Sequence, residues 1–282
     1  MRKTVLLIAM ALLAASSAAY LACSGQSRQV VVDKEVRDYT GEPPKAVPLD
    51  RVDHSTWGQL LQKYVDRDGM VDYDAWKASQ ADRAALKQYL ATLSAADPTA
   101  QTSKDGRLAF WINAYNALTV QGILDVYPTS SIRNHTAKVV GFNIWDDLLL
   151  PVGDNKYSLN QMEHGILRKL GEPRIHFAIV CASIGCPRLL NRAYKPESLE
   201  SQLAENTRDF FARRKNFQVE LTSRKVRVSS ILDWFGEDFG PTPQKGLAGL
   251  AKYMPDEATR KLISSGDFSV SYLDYDWSLN KQ

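Results

Sequence analysis

An α+β domain is the fold class this sequence predicts, on three observations. Helical periods fill the first half, an alternating hairpin stands in the second, and the regular β-α alternation of a doubly wound sheet is missing. The expected architecture is a single domain over residues 51–282, with a helical first half, a central buried helix and a mixed or antiparallel sheet.

Two shorter segments precede that domain. Arg2 and Lys3 stand before an apolar run from Val5 to Leu13, followed by small residues from Ser16 to Ala19, so residues 1–22 predict a secretory signal peptide. The run is too short to cross a bilayer as a permanent helix. Leu21-Ala22-Cys23 resembles the lipobox of bacterial lipoproteins, in which the cysteine is lipidated after cleavage, although Tyr20 stands where Leu is usual. Cleavage after Ala18 or Ala19 would give a soluble exported protein instead. Residues 23–50 are polar, include Gly41-Glu42-Pro43-Pro44, and predict a lipid-anchored tether. The expected location is the bacterial cell envelope, in the periplasm or at the outer membrane, with membrane contact through the anchor.

Within the domain, Trp57, Leu60, Leu61 and Tyr64 share a helix face, and Asp66-Arg67-Asp68-Gly69 follows as a turn. That turn lacks the third ligand and closing glutamate of a calcium loop. Ala75–Leu93 and Arg107–Tyr127 predict two further helices, the second stopped by Pro128. The latter is apolar on all sides and is therefore a central, buried helix holding Asn113 and Asn116. Buried amides must be hydrogen-bonded, so these two either brace the structure or orient a catalytic group.

Strands are expected near Lys138–Asn143 and Leu148–Val152, then a helix over Leu159–Leu170 with a capping-box start and a Gly171 stop. Glu163 falls inside the apolar face formed by Leu159, Met162, Ile166 and Leu170. A carboxylate there must be paired, protonated or serving a site. A strand is expected over Ile175–Val180, delivering Cys181 to its end. Phe217–Leu221 and Lys225–Val228 predict the hairpin, a helix follows Ser229, and the chain closes with an extended piece around Val270–Trp277.

Removing residues 1–22 takes away Arg2 and Lys3 and no acid, which lowers the formal charge from +3 to +1. That balance excludes an electrostatic case for nucleic acid. Every thiol of the mature domain lies in one segment, since Cys23 belongs to the signal and Cys181 and Cys186 are the rest. In an exported protein this pair reads as a structural or redox disulfide, or as a nucleophilic Cys181 activated by a histidine. Zinc held by Cys181, Cys186 and one or two histidines is a lesser alternative, because the spacing is loose for a thiolate pair and no second pair exists, so neither metal nor cofactor is expected. His164 adjoins Glu163 and is the candidate base, with His176 as its alternative. Arg168 is a candidate for binding a substrate carboxylate.

Several stretches resemble the family known as domain of unknown function 547. They are Val71-Asp72-Tyr73, Ala109 to Thr119, Tyr157-Ser158-Leu159, Glu163 to Arg168, Arg174 to Ala178 with Cys181 to Pro187, and Tyr272 to Trp277. The resemblance spans the mature domain. It implies an outline like that of cysteine peptidases or transglutaminases, but in the order Glu163, His164, His176, Cys181 rather than papain's cysteine-first order. The resulting expectation is an envelope lipoprotein with a thiol-dependent site acting as amide or ester hydrolase or acyl transferase. Cys181 would attack, His164 or His176 would take its proton, Glu163 would orient the imidazole, and Asn113 would lend polar support. The alternative is a non-catalytic module that binds an unidentified peptide or small molecule and is stapled by a Cys181–Cys186 disulfide.

Overall fold

The computed structural model describes residues 46–137 and 141–282, which fold as one α+β domain. The predicted signal, the tether up to residue 45 and Cys23 lie outside the described residues.

The first half is helical. Helix α1 (Ser55–Tyr64) buries Trp57, Leu60, Leu61 and Tyr64 as its periodicity requires. The helix expected from Ala75 to Leu93 is two, α2 (Tyr73–Ala78) and α3 (Gln80–Ser94). Ser79 ends one and caps the other by accepting the Asp82 N–H, and a serine that bonds its own backbone breaks a continuous helix. Helix α4 (Lys104–Val126), capped by Ser103, is buried without a break from Leu108 to Leu124, confirming the central helix.

Short hairpins and turns follow. Strands β1 (Val47–Pro48) and β2 (Ala96–Asp97) pair in parallel, and β3 (Leu149–Val152) pairs antiparallel with β4 (Asn155–Ser158). Of the strand expected at 138–143, the described part forms only an isolated bridge between Thr136 and Asn143, beside the one-turn helix α5 (Ile144–Asp147). The helix expected over Leu159–Leu170 is a π-helix at Gln161–Leu167 that tightens to 3₁₀ geometry at Arg168–Leu170. The wider π turn carries Leu167 inward and leaves Ile166 half-buried, while Leu159, Met162 and Glu163 remain inside.

The expected strand at Ile175–Val180 is absent. Pro173 opens a 3₁₀ turn through Phe177, and the chain then runs without regular structure to Cys181. Its backbone groups find a side chain in place of a partner strand. The Asn116 amide donates to the Ala178 carbonyl and accepts from the Val180 N–H, both at 2.9 Å. That exchange satisfies buried polar groups as a ladder would.

Helix α6 (Leu199–Ala212) leads to the antiparallel pair β5 (Phe217–Glu220) and β6 (Lys225–Ser229). Strand β7 (Ser269–Leu273) adds to β6 in parallel. Between them stand α7 (Ile231–Trp234), α8 (Gly236–Phe239), α9 (Pro243–Gly249) and α10 (Glu257–Ser265). The core has two clusters. One gathers α1 to α4 with Ile175 and Ala178, and the other gathers Phe177, Phe210 and Phe211 with the sheet and α9. The segment 175–178 therefore runs along the seam between them, and the site opens there.

Candidate functional site

A cavity of about 340 Å³ at this seam is lined by Glu163, His164, His176, Cys181 and Cys186, together with Tyr115, Trp145, Trp234, Phe235, Tyr275 and Trp277. Five residues singled out in the sequence thus share one pocket. Asn113 and Arg168 do not line it.

The thiols lie side by side and unbonded. Cys186 is buried and Cys181 is partly open to the cavity. Their sulfurs are 2.8 Å apart, against about 2.05 Å in a disulfide. The Tyr275 hydroxyl lies 3.0 Å from Cys186 Sγ and 3.3 Å from Cys181 Sγ. The Cys181 N–H donates to Cys186 Sγ at 3.1 Å. Burial pushes the Cys186 thiol up, but the donors from Cys181, Tyr275 and the backbone outweigh it and hold it below the ordinary thiol range. The Cys181 thiol is pushed up, first by donating to Cys186 and then by burial. Of the two thiols, Cys186 is therefore the one that ionises more readily.

The loop that holds the thiols is laced from the C-terminal end. Ile184 and Gly185 donate their N–H groups to Ser278 and Asp276 carbonyls, and Ser183 bridges to Leu279. Ala182 sits at φ 59°, the left-handed region that a non-glycine residue enters only when its surroundings enforce it. Gly185 is required by packing, because a Cβ there would lie 2.9 Å from the Tyr275 ring.

Glu163 is nine-tenths buried and its carboxyl is pushed up to about 7, chiefly by burial and next by electrostatic coupling to Cys181. Its contacts are long. Tyr115 donates at 3.5 Å and His176 Nδ1 lies 3.9 Å away. His176 stacks on Phe235 with ring centroids 4.1 Å apart and donates from Nε2 to Asp238 at 2.7 Å. Burial pushes it down to about 4, so the ring is neutral and its Nδ1 lone pair faces Glu163. No recorded hydrogen bond joins either sulfur to an imidazole.

His164 lies exposed at the mouth, where its Nδ1 accepts from Arg168 at 3.0 Å. Partial burial and the neighbouring guanidinium push its pKa down. Arg168 itself is engaged bidentately by Asp238 at 2.6 and 2.8 Å, and by Glu237. It anchors α8 over the site rather than presenting a free guanidinium to the cavity. Asn113 clamps the backbone of Tyr194, donating to its carbonyl at 2.8 Å and accepting from its N–H at 2.9 Å. The amide that positions the thiol segment is Asn116, one helical turn further along α4. His54 lies away from this site, buried with its Nδ1 2.6 Å from the Tyr89 hydroxyl. Among the described residues no group of three or more His, Cys, Asp or Glu could hold a metal ion.

Sequence reasoning did not assign a role to Asp238, Tyr275, Trp234 or Trp277. The closing motif Tyr272–Trp277 carried a signal for two of them. Nothing local marks Asp238, which becomes significant only when the fold brings it to His176.

The family described as "Protein of unknown function, DUF547" matches residues 99–211, which supports assigning the chain to it. No curated protein and no solved structure matched the chain.

Proposed function

We propose that this member of the family is an envelope protein whose cavity carries out thiol–disulfide exchange, with Cys181 as the sulfur that meets substrate and Cys186 as its resolving partner. The observation that carries this reading is the 2.8 Å approach of the two sulfurs, with donors converging on the buried one. In the oxidised pair, a substrate thiolate would attack Cys181 Sγ. The S–S bond would break and its electrons would leave on Cys186, where the Cys181 N–H and the Tyr275 hydroxyl stabilise the anion. A second substrate thiol would then attack the substrate sulfur and release Cys181. Two thiols become one disulfide, the pair gains two electrons and two protons, and an external disulfide restores it. A stabilised leaving thiolate makes such a pair oxidising. Glu163, with a pKa near neutrality, can hold or give up the proton beside Cys181.

Acyl transfer or hydrolysis at an amide or ester is the second reading, favoured by one observation, the neutral His176 held by Asp238 in the same cavity. There Cys181 would attack the carbonyl and pass its proton through Glu163 toward His176. Export and lipidation at Cys23 belong to the same proposal and rest on the sequence alone.

Equilibration of the purified protein in glutathione buffers of graded potential, read by mass spectrometry, separates these readings. Exchange requires a reversible Cys181–Cys186 disulfide and, in Cys186→Ser, a trapped glutathione adduct on Cys181. A disulfide that resists reduction throughout would mark a structural staple. Thiols that never form the disulfide, in a protein that cleaves an activated ester, would establish the acyl reading instead.

A further inference from the structure

We infer that the aromatic wall facing the thiols, formed by Trp145, Trp234, Tyr275 and Trp277, seats an uncharged aromatic or planar apolar group attached next to the sulfur with which Cys181 reacts. This rests on the thiol reading above and adds the class of substrate.

Trp234 and Trp277 lie nearly parallel, with centroids 5.7 Å apart and planes 24° off. Tyr275 packs against both, at 4.9 and 4.6 Å, and Trp145 meets Trp277 edge-on at 6.2 Å. Despite this packing Trp234 remains 47% exposed, the most exposed aromatic among the large hydrophobic side chains. Its neighbour Tyr275 also places its hydroxyl within hydrogen-bond distance of both sulfurs. The aromatic wall and the reactive pair are thus joined through one residue, and a ring on the wall lies beside the thiols. A contiguous exposed aromatic surface at a concave site is where binding energy is available.

The charges decide the class. Among the described residues no lysine or arginine lines the cavity, and the nearby guanidinium of Arg168 is occupied by Asp238 and Glu237. The Arg133 guanidinium lies over Trp277, 5.1 Å from the ring centre, but does not line the cavity, so inside it an anionic substituent meets no cation whereas a neutral ring meets π faces and apolar edges. A cavity of about 340 Å³ is ample for one ring, since an apolar void of about 150 Å³ holds benzene.

The test compares two alkylating reagents with the same reactive group, iodoacetamide and N-benzyl-2-iodoacetamide, on the reduced full protein. Each rate is divided by that of a small free thiol. The benzyl reagent should be preferred at Cys181 by about tenfold, and Trp234→Ala should remove most of that preference, each protein's benzyl rate being divided by its own iodoacetamide rate. A benzyl preference equal to that of the free thiol, or one unaltered in both Trp234→Ala and Trp277→Leu, overturns the inference. Titration with unreactive N-benzylacetamide, read by tryptophan fluorescence, decides the case in which neither reagent modifies Cys181. Saturable quenching lost in Trp234→Ala then upholds the aromatic seat while the thiol reading falls, and no quenching removes both.

Discussion

Replacing Glu163 with glutamine tests the electrostatics of the site in a single measurement. A carboxyl with no permanent cation bonded to it, and with its nearest polar contacts at 3.5 and 3.9 Å, is destabilising when ionised. Moving it from its ordinary 4.5 to about 7 is worth about 3 kcal/mol, at 1.36 kcal/mol per factor of ten. The sign follows from proton counting. Between pH 4.5 and 7 the native Glu163 binds more protons than it does in the unfolded chain, so its contribution to stability falls as pH rises through that window. Glutamine keeps the shape and removes the titration. Glu163→Gln should therefore match wild type near pH 4.5 and exceed it by about 3 kcal/mol at pH 8, measured by urea denaturation of both proteins under reductant. Only the difference between the two curves isolates Glu163. His54 and His176, both pushed down to about 4 by burial, act in the opposite sense over much of the same range. Parallel curves, or a variant uniformly less stable than wild type, would refute the reasoning. Glu163 would then be solvated, or paired to a charge that the substitution strands.

Asn116→Ala should cost about 4 kcal/mol in denaturant titration, because it leaves the buried Ala178 carbonyl and Val180 N–H without partners at about 1–3 kcal/mol each. Gly185→Ala should push the Tyr275 ring away, remove a donor from Cys186 and raise the pH at which the thiolate forms, followed by its ultraviolet absorbance. An unchanged titration would show that Tyr275 does not stabilise the anion. Cys23→Ser should release the protein from the membrane to the soluble envelope fraction, as fractionation and immunoblotting would show. A wild-type protein that is already soluble removes the anchor.

What the sequence revealed follows the range of the interactions. The all-round apolar pattern of Leu108 to Leu124 identified the buried central helix, and the alternation in Phe217–Leu221 and Lys225–Val228 identified the hairpin, because both signals are local and periodic. Ile175–Val180 has the composition of a strand, yet its hydrogen-bonding partner is a side chain some 60 positions earlier in the chain, which no local pattern encodes. The π turn escaped for a related reason. One extra residue per turn preserves an apolar stripe while changing which residues occupy it, so Glu163 was correctly placed inside and Leu167 was missed. The gathering of Cys181, Cys186, Glu163 and the two histidines was legible as chemistry before it was legible as geometry. Their wall of aromatic residues was not, since Trp145 and Trp234 are distant from the thiols in sequence and carry no reactive group.

The order in which the site is assembled along the chain has a consequence for how it is held. Helix α4, the π-helix and the segment through Cys186 supply the thiols, Glu163 and both histidines, and all pack in the first core cluster or along its edge. Two groups that tune the chemical state of those residues come later. Asp238 fixes the tautomer of His176 and occupies Arg168, while the Tyr275 hydroxyl lies within hydrogen-bond distance of both sulfurs. Residues 276–282 close the loop by bonding the backbone at 182–185 and at Val71. A chain ended after α6 would keep the reactive atoms and lose their electrostatic control. Without the Tyr275 hydroxyl, Cys186 would lose one of the donors that lower its pKa. Without Asp238, Arg168 would be free to pair with Glu163 and hold it ionised. The second half of the domain is therefore part of the site in a chemical sense, because it adds the Tyr275 hydroxyl to the donors that lower the Cys186 pKa.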